Sequence, residues 1–247
     1  MKEDVVAALS DVGLTYRKSK HKVASLKQTA INILNNKIEY ENFSALKNIS
    51  LEIHQGETIG VIGRNGAGKS SLLKILSKVL PPSVGRVVVK GRIAPMIELG
   101  AGFNLELTGS ENILLYGALL GRPINEISQR IENIASWAEL ESELEVPLRS
   151  YSSGMLARLA FSVATDTSPD LLLIDEVLSV GDEKFKEKSF KRSKELINGG
   201  CAVVLVSHDL DLISELSNKV VYLEGGCLKA FGEPGHVIKK YLSDVRD

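Results

Sequence analysis

Short apolar runs alternate with amphipathic stretches along most of the chain. Apolar runs of strand length occupy 5–16, 49–53, 57–63, 87–89, 171–174, 202–206 and 219–223. Apolar residues recur with helical spacing over 69–80, 183–198 and 210–217. Because strands and helices alternate, the pattern predicts an α/β fold with a parallel sheet covered by helices.

The middle of the chain follows a different pattern, in which helical spacing dominates. Helices are predicted over 111–121, 124–140 and 156–164. The pattern indicates that this helical block is inserted into the sheet domain. We therefore expect a single domain over residues 1–247, made of an α/β core with its β-subdomain (1–94 and 166–247) and a helical subdomain (95–165).

Composition and charge narrow the possible functions. The 247 residues include 30 Lys and Arg against 31 Asp and Glu, and this net charge of −1 argues against a protein that coats nucleic acid. Cys201 and Cys227 lie far apart in sequence, so neither a disulfide scaffold nor a zinc module is expected. No apolar run approaches the roughly 18 residues of a membrane span, and residues 1–4 lack the apolar core of a signal peptide. We expect a cytoplasmic protein that needs a membrane partner for any membrane process.

One stretch of the chain, residues 17–47, is locally basic. It contains seven Lys and Arg residues against two Glu residues, a net charge of +5. It is either a solvated surface loop or a lobe that meets acidic lipid headgroups or a partner.

A glycine-rich turn after the apolar run 57–63 matches the phosphate-loop pattern G-x-x-x-x-G-K-[ST]. Glycines let the backbone curl so that its N–H groups point at phosphate oxygens, and the helix that follows directs its positive end to the same place. We expect Lys69 to reach the β- and γ-phosphates and the Ser70 hydroxyl to ligate Mg²⁺. The predicted nucleotide-binding residues are Gly63, Arg64, Asn65, Gly66, Ala67, Gly68, Lys69, Ser70 and Ser71.

Acidic and imidazole side chains follow two later apolar runs. Asp175 and Glu176 come after 171–174, and His208 comes shortly after 202–206. Strand ends in an open α/β sheet meet at the ligand crevice, so we expect Asp175 to hold Mg²⁺ through water. Glu176 is placed to polarise an attacking water, and His208 to bridge that water and the γ-phosphate. A solvated strand end and a structural histidine are the simpler alternatives.

The pentapeptide Tyr151-Ser152-Ser153-Gly154-Met155 selects among the many families that use a phosphate loop. It resembles the signature sequence of ATP-binding cassette (ABC) ATPases, with Ser153 where that family commonly has glycine. The resemblance implies a P-loop NTPase (RecA-like) core with an antiparallel β-subdomain and an inserted α-helical subdomain. It also implies a head-to-tail homodimer around two ATP molecules, in which Ser152, Ser153 and Gly154 form a second anion cradle on the partner's nucleotide.

Two further positions follow the order of that family. The segment Ser179-Val180-Gly181-Asp182 resembles the loop through which the two subunits communicate, with Asp182 contributed to the partner's site. Tyr16 stands where the family stacks an aromatic ring on adenine. A tyrosine of the core is the alternative for Tyr16, because the basic stretch separates it from the phosphate loop.

One departure from the family pattern points to a branch within it. The family usually has a glutamine before the helical block, bound to metal and water, and residues 97–104 contain none. Glu98 is the nearest polar substitute and is therefore a predicted metal ligand. The chain resembles the ATPase subunit of bacterial exporters of O-antigen, capsule or teichoic acid in four segments, 98–103, 107–112, 151–155 and 175–182.

This resemblance implies an ATP- and Mg²⁺-dependent motor on the cytoplasmic face of the bacterial inner membrane. ATP binding closes the dimer, hydrolysis at Glu176 releases it, and the loop at 98–104 passes the motion to a transmembrane permease expected in two copies. The cargo is then a lipid-linked surface polysaccharide, with no role for nucleic acid. Two rivals stay open, namely another ABC transporter such as a small-molecule importer, and a soluble ABC-type ATPase that acts on DNA or ribosomes.

Overall fold

The computed structural model describes residues 4–19, 40–97, 99–175 and 182–246. The strands are β1 (Val5–Ser19), β2 (Tyr40–His54), β3 (Thr58–Ile62), β4 (Val84–Val89), β5 (Ile93–Met96), β6 (Leu171–Asp175), β7 (Ala202–Val206), β8 (Lys219–Glu224) and β9 (Cys227–Gly232). The α-helices are α1 (Lys69–Leu76), α2 (Gly109–Leu119), α3 (Ile124–Ser128), α4 (Ile131–Ala138), α5 (Ser153–Thr165), α6 (Glu183–Asn198), α7 (Leu210–Leu216) and α8 (Pro234–Arg246).

A six-stranded sheet forms the core, in the order β5-β6-β7-β3-β8-β9. The strands from β5 to β8 run parallel, and β9 pairs antiparallel with β8 at one edge. Strands β3 and β7 are buried at every position, which explains why their apolar runs show no alternation. Because β3 lies between β7 and β8, the turn that follows it opens next to the ends of both neighbours.

A separate antiparallel sheet consists of three strands in the order β2-β1-β4. Its inner face packs on helix α1, and one buried cluster joins Leu9 and Leu51 of this sheet to Leu72 and Leu76 of the helix. The sheet thereby brings the last residues of β1 and the first half of β2 beside the turn that precedes α1.

Helices α2 to α5 lie in the segment between β5 and β6 and have a buried core of their own. Helix α2 begins with a capping box, in which Thr108 Oγ1 accepts a hydrogen bond from the Glu111 N–H (3.3 Å) and the Glu111 carboxylate accepts one from the Thr108 N–H (2.8 Å). The sequence pattern places the start of the helical subdomain at residue 95, and this residue lies within β5.

Two predicted helices differ from those in the structure. Helix α1 ends before the predicted residue 80, because Lys78 adopts a left-handed backbone (φ 61°) and donates a hydrogen bond to a carbonyl of β4 (3.0 Å). The single helix predicted over 124–140 is broken into α3 and α4 at Arg130, whose guanidinium makes two hydrogen bonds to Asp166 (2.6 and 3.1 Å). No helix in the described part of the chain has the length and apolar character needed to cross a bilayer.

Candidate nucleotide-binding site

The turn between β3 and α1 closes tightly against the antiparallel sheet. Gly63 and Gly68 have φ angles of 151° and 109°, in the range that favours glycine. A Cβ on Gly68 would lie 2.7 Å from the carbonyl oxygen of Ala45, so a larger residue would push the two elements apart. The turn thus brings the first turn of α1, which is the positive end of the helix, to the wall of a cavity.

This cavity has a volume of about 530 Å³. Its wall combines the glycine-rich turn with residues from the ends of β6 and β7 and from β2. The lining residues are Phe43, Ala45, Asn65, Gly66, Ala67, Gly68, Lys69, Ser70, Ser71, Asp175 and His208. The neighbouring positions of β6, β7 and β3 in the sheet explain why Asp175 and His208 meet the turn, although both lie far away in sequence.

Lys69 and Ser70 supply the first side chains of helix α1. The Lys69 ammonium donates hydrogen bonds to the carbonyl oxygens of Gly63 (2.7 Å) and Arg64 (3.3 Å), so the side chain lies folded over the turn. Ser70 is exposed at the cavity wall. The first turn of α1 contains no acidic residue, so the positive helix end and the ammonium leave this wall suited to anions such as phosphate.

The turn that carries His208 is fixed by its neighbours. The Ser207 Oγ accepts a hydrogen bond from the Asp209 N–H (3.0 Å), and the Asp209 carboxylate accepts two from the first turn of α7 (3.0 Å each). His208 is exposed at the cavity, and Asp175 lies at its wall as the last residue of β6. An imidazole and a carboxylate therefore line the same cavity as the Lys69 ammonium.

Ser70 and Asp175 provide oxygen donors of the kind that Mg²⁺ prefers. In nucleotide sites Mg²⁺ commonly binds through one or two protein oxygens together with phosphate and water, so this small donor set fits the ion. Within the described ranges, no three His, Cys, Asp or Glu side chains are grouped so that they could hold a metal. The predicted ligand Glu98 and the predicted catalytic Glu176 lie outside the described residues.

Two aromatic side chains stand beside the cavity. Tyr16 of β1 and Phe43 of β2 are direct cross-strand partners, so both project from one face of the antiparallel sheet. Phe43 is 54% exposed and lines the cavity. Tyr16 is 37% exposed, and its hydroxyl lies 3.3 Å from Ser71 Oγ, but it is not among the described lining residues. Sequence reasoning selected Tyr16 and missed Phe43, which only the strand register could have revealed.

The predicted signature residues lie at the start of α5. Ser152 caps this helix, and its Oγ accepts a hydrogen bond from the Met155 N–H (3.2 Å). Ser152 and Ser153 are exposed and Gly154 is half-buried. None of these three belongs to the described lining of the cavity, so the structure does not bring them together with the phosphate-binding turn of their own chain.

Asp182 has a similar place at the start of α6. Its Oδ1 accepts a hydrogen bond from the Phe185 N–H (2.9 Å), which caps the helix. The three residues before it in the predicted communication loop, 179–181, lie outside the described residues.

Comparison with known proteins decides the family. The family model described as ABC transporter matches residues 46–179, which is more than half of the chain. The chain belongs to the ABC transporter family. It is accordingly a transport-coupled ATPase whose nucleotide is ATP, as the sequence predicts.

Three bacterial relatives of this ABC protein carry names from transport or export. The ABC transporter protein AbcA of Aeromonas salmonicida is 44% identical over 87% of this chain and 70% of the relative. The O-antigen export system ATP-binding protein RfbB of Klebsiella pneumoniae is 43% identical over 81% of each chain. The teichoic acids export ATP-binding protein TagH of Enterococcus faecalis is 40% identical over 87% of this chain but 47% of its own length. The resemblance to the surface-polysaccharide branch of ABC proteins is confirmed.

Solved structures of ABC proteins share the fold. The dimeric ATP-binding cassette MJ0796, bound to ADP and Pi in a post-hydrolysis state, has a TM-score of 0.71 at 23% identity, covering 92% of this chain and 98% of that chain. An ATP-binding subunit of an ABC transporter has a TM-score of 0.72 at 21% identity, covering 96% and 93%. The predicted P-loop NTPase core, with its antiparallel sheet and inserted helices, is confirmed.

Proposed function

We propose that this ABC protein is the motor subunit of an exporter that moves a lipid-linked surface polysaccharide, such as an O-antigen-like chain, across the bacterial inner membrane. The observation that carries the proposal is a set of relatives, 40–43% identical, that are named as ATP-binding proteins of O-antigen or teichoic acid export. The cavity beside the glycine-rich turn supports it, because such a motor needs a site for ATP.

The residues at the cavity divide the work of ATP hydrolysis. Lys69 exchanges its hydrogen bonds to the turn for bonds to the β- and γ-phosphates, which residues 63–71 hold in place. Glu176 takes a proton from the attacking water, and His208 orients that water. Mg²⁺ neutralises phosphate charge when bound, and Ser70, Asp175 through water and Glu98 are its proposed ligands. Adenine packs on the aromatic face formed by Tyr16 and Phe43.

A second copy of the chain completes each ATP site in this proposal. Ser152, Ser153 and Gly154 lie at the start of a 13-residue helix and away from the cavity of their own chain. In a head-to-tail homodimer these residues and Asp182 contact the nucleotide that the partner binds. Closure of the dimer around two ATP molecules then supplies the motion that drives transport.

A groove beside the helical segment suits a transmembrane partner. It has a volume of about 470 Å³ and lies between residues that follow α1, residues of β5 and the end of α2. Val79 and Leu119 line it and are 67% and 63% exposed, so the groove presents apolar surface to water. In the dimer, one helix of each permease copy would cover the groove of one motor subunit. This contact would hold the motor at the cytoplasmic face of the inner membrane. The loop at 98–104, which precedes α2, would pass on the closing motion.

Deletion of the gene in the source cell tests the proposed cargo. Lipid-linked polysaccharide should accumulate inside the cell, and the wild-type chain should relieve the accumulation while Lys69→Ala should not. Intact surface glycans with no accumulated intermediate would contradict the proposal and favour another cargo.

Light scattering of the purified Glu176→Gln chain tests the sandwich dimer. Without the general base, ATP stays bound, so the molar mass should double when ATP is added. Adding Lys69→Ala to the same chain should abolish the change, because the phosphates lose their ammonium partner. A Glu176→Gln chain that stays monomeric at saturating ATP would rule against the sandwich.

A further inference from the structure

A glutamate occupies a backbone position at the end of α4 that glycine usually takes. Glu139 follows this helix directly and has φ 59° and ψ 48°, the left-handed conformation. The Glu139 N–H donates to the Ser136 carbonyl (3.1 Å) and the Leu140 N–H to the Ala135 carbonyl (3.0 Å), a helix ending in which glycine is favoured. A residue with a Cβ is less stable than glycine in this conformation, so the backbone alone does not favour a glutamate here.

The Glu139 carboxylate contacts two other helices. Oε1 lies 3.1 Å from the Nζ of Lys188 and 3.8 Å from the Nζ of Lys184, both on α6. Oε2 lies 3.8 Å from the Nη1 of Arg158 on α5. The hydrogen bond donated by Lys188 holds the pKa of the Glu139 carboxyl below its usual value, so the group is charged at neutral pH. One carboxylate therefore joins α4 to both α5 and α6.

Aromatic packing links the same three helices. Trp137 of α4 stacks on Phe161 of α5, with 5.4 Å between ring centroids, and meets Phe185 of α6 edge-on at 5.3 Å. Lys188 donates a hydrogen bond to the Trp137 carbonyl (2.7 Å) and lies 4.9 Å from the centroid of its ring. The ring contacts hold the three helices together but are not directional. The charged contacts of Glu139 are directional, and they join α4 to α5 and α6 at the same junction.

Both helices that Glu139 reaches begin at a residue proposed to face the partner's nucleotide. Helix α5 starts directly after Ser152, and α6 starts directly after Asp182. Arg158 and Lys184 lie within the first two turns of these helices, so the contacts of Glu139 lie close to both helix starts.

We propose that Glu139 is a positioning residue that keeps the starts of α5 and α6 in register, so that Ser152 and Asp182 reach the partner's nucleotide together. This role rests on the proposed ATP sandwich. Glu139 is not among the described residues that line the nucleotide cavity, so it acts through the two helices and not on ATP.

Steady-state ATP hydrolysis by the full chain tests the role of the charge. Glu139→Asp and Glu139→Asn form a matched pair, because both side chains tolerate the left-handed backbone and only one is charged. We expect Glu139→Asn to lower kcat about fivefold while KM for ATP changes less than about twofold, since the phosphate-binding turn is untouched. Glu139→Asp should recover most of the wild-type kcat.

Glu139→Gly separates positioning from stability. Glycine relaxes the backbone, so the Tm should stay at or above that of the wild type, while kcat should fall as in Glu139→Asn. Glu215→Gln is the control, because it removes another ion pair of α6, the 2.8 Å contact to Lys194, without touching α5. This variant should keep the wild-type kcat.

The outcomes distinguish this role from the proposed function. Wild-type kcat in both Glu139→Asn and Glu139→Gly, measured beside an active wild-type chain, would overturn the positioning role and leave the sandwich intact. A wild-type chain that binds ATP but neither dimerises nor hydrolyses it would overturn the proposed function and the positioning role together.

Discussion

At the residue scale, strand register decides which aromatic ring lines the cavity. Tyr16 and Phe43 share a face, yet Phe43 lines the cavity while the Tyr16 hydroxyl contacts Ser71 Oγ at 3.3 Å. The tyrosine is thus tied to the start of α1, and the phenylalanine keeps a ring free of hydrogen-bonding demands at the cavity wall. Base stacking should therefore depend more on Phe43.

Phe43→Ala should weaken ATP binding about tenfold, because stacking of an aromatic ring on a base contributes about 1–3 kcal/mol. Tyr16→Phe keeps its ring and loses only the hydroxyl contact, so it should change the Kd less than about twofold. Equilibrium titration with ATP measures both values. A large loss in Tyr16→Ala combined with none in Phe43→Ala would reverse the assignment.

The two cysteines should differ sharply in reactivity. Cys201 is 6% exposed, and burial raises the pKa of its thiol to about 11, whereas Cys227 is half-buried. Since the thiolate is the nucleophile, a pKa above the ambient pH slows the reaction of Cys201. At pH 8, a disulfide reagent such as Ellman's should titrate one thiol per folded chain and two in denaturant. Two fast thiols in the folded chain would contradict this environment.

At the scale of elements, the buried side-chain amide of Asn112 holds the loop that precedes α2. Asn112 is fully buried, and the two hydrogens of its Nδ2 are shared among the carbonyls of Asn104 (2.9 Å), Leu107 (3.1 Å) and Thr108 (2.9 Å), while its Oδ1 accepts from the Asn104 N–H (2.8 Å). The Leu107 carbonyl in turn accepts from the Leu148 N–H (3.0 Å). This hydrogen bond ties the segment that precedes the predicted signature, residues 151–155, to the loop that Asn112 holds.

Asn112→Ala should lower the free energy of unfolding by about 2 kcal/mol, because it removes the hydrogen bonds of a fully buried amide, although the carbonyls of Asn104, Leu107 and Thr108 keep backbone partners. Ser128→Ala is a suitable control, since it removes an exposed hydrogen bond to the Asn125 carbonyl (3.0 Å) and should cost less than about 0.5 kcal/mol. Urea denaturation followed by circular dichroism measures both. Equal losses in the two variants would show that the amide has no special role.

The success of sequence prediction varies among the elements for physical reasons. The pattern predicts α6 and β7 with the bounds found in the structure, since each combines strong periodicity or continuous apolar character with clear stops. Strand β5 is missed because Pro95 usually argues against a strand, and its place at the sheet edge explains why the proline is tolerated. Strand β9 and helix α8 are missed because the first is half-buried and contains no continuous apolar run, and the second begins with the weak helix formers Pro234 and Gly235.

The residues of the candidate site also differ in whether the sequence predicts them. Residues 63–71 can be predicted because they are contiguous and each has a chemical reason to be there. Asp175 and His208 also follow from the sequence, since the ends of parallel strands share one edge. Phe43 does not follow from the sequence, because its place at the cavity depends on the register in which β1 pairs with β2. These two strands are separated by other residues in the sequence.

At the scale of the whole molecule, the proposed nucleotide cavity and the groove lined by Val79 and Leu119 lie on different sets of elements, which meet at the two ends of helix α1. The groove is lined by Ser77 and Lys78 just beyond the end of α1, while Lys69 at the start of that helix lines the cavity. A partner seated in the groove would therefore contact residues directly beyond the helix whose first residues line the cavity.

Leu119→Arg should abolish recruitment of the chain to membranes that contain its permease, because a charge would replace apolar surface in the groove. Leu242→Arg is the matched control, since Leu242 is also an exposed apolar residue (41%) but lies on α8. Co-sedimentation with membranes of the source cell measures recruitment, and the Tm of each variant checks its folding. Loss of recruitment in both variants would mean that the groove is not the docking surface.

The central place of β3 has a consequence for synthesis. Ile59 pairs with Val204 on one side and with Lys219 on the other, so the strand that precedes the glycine-rich turn gains its first sheet neighbour only with β7 and its second only with β8. A ribosome releases that turn long before β7 and β8, and the nascent turn lacks the residues that shape its cavity. The cavity therefore acquires its full described lining only after His208 has been translated, and a ligand that needs this lining can stabilise no shorter chain.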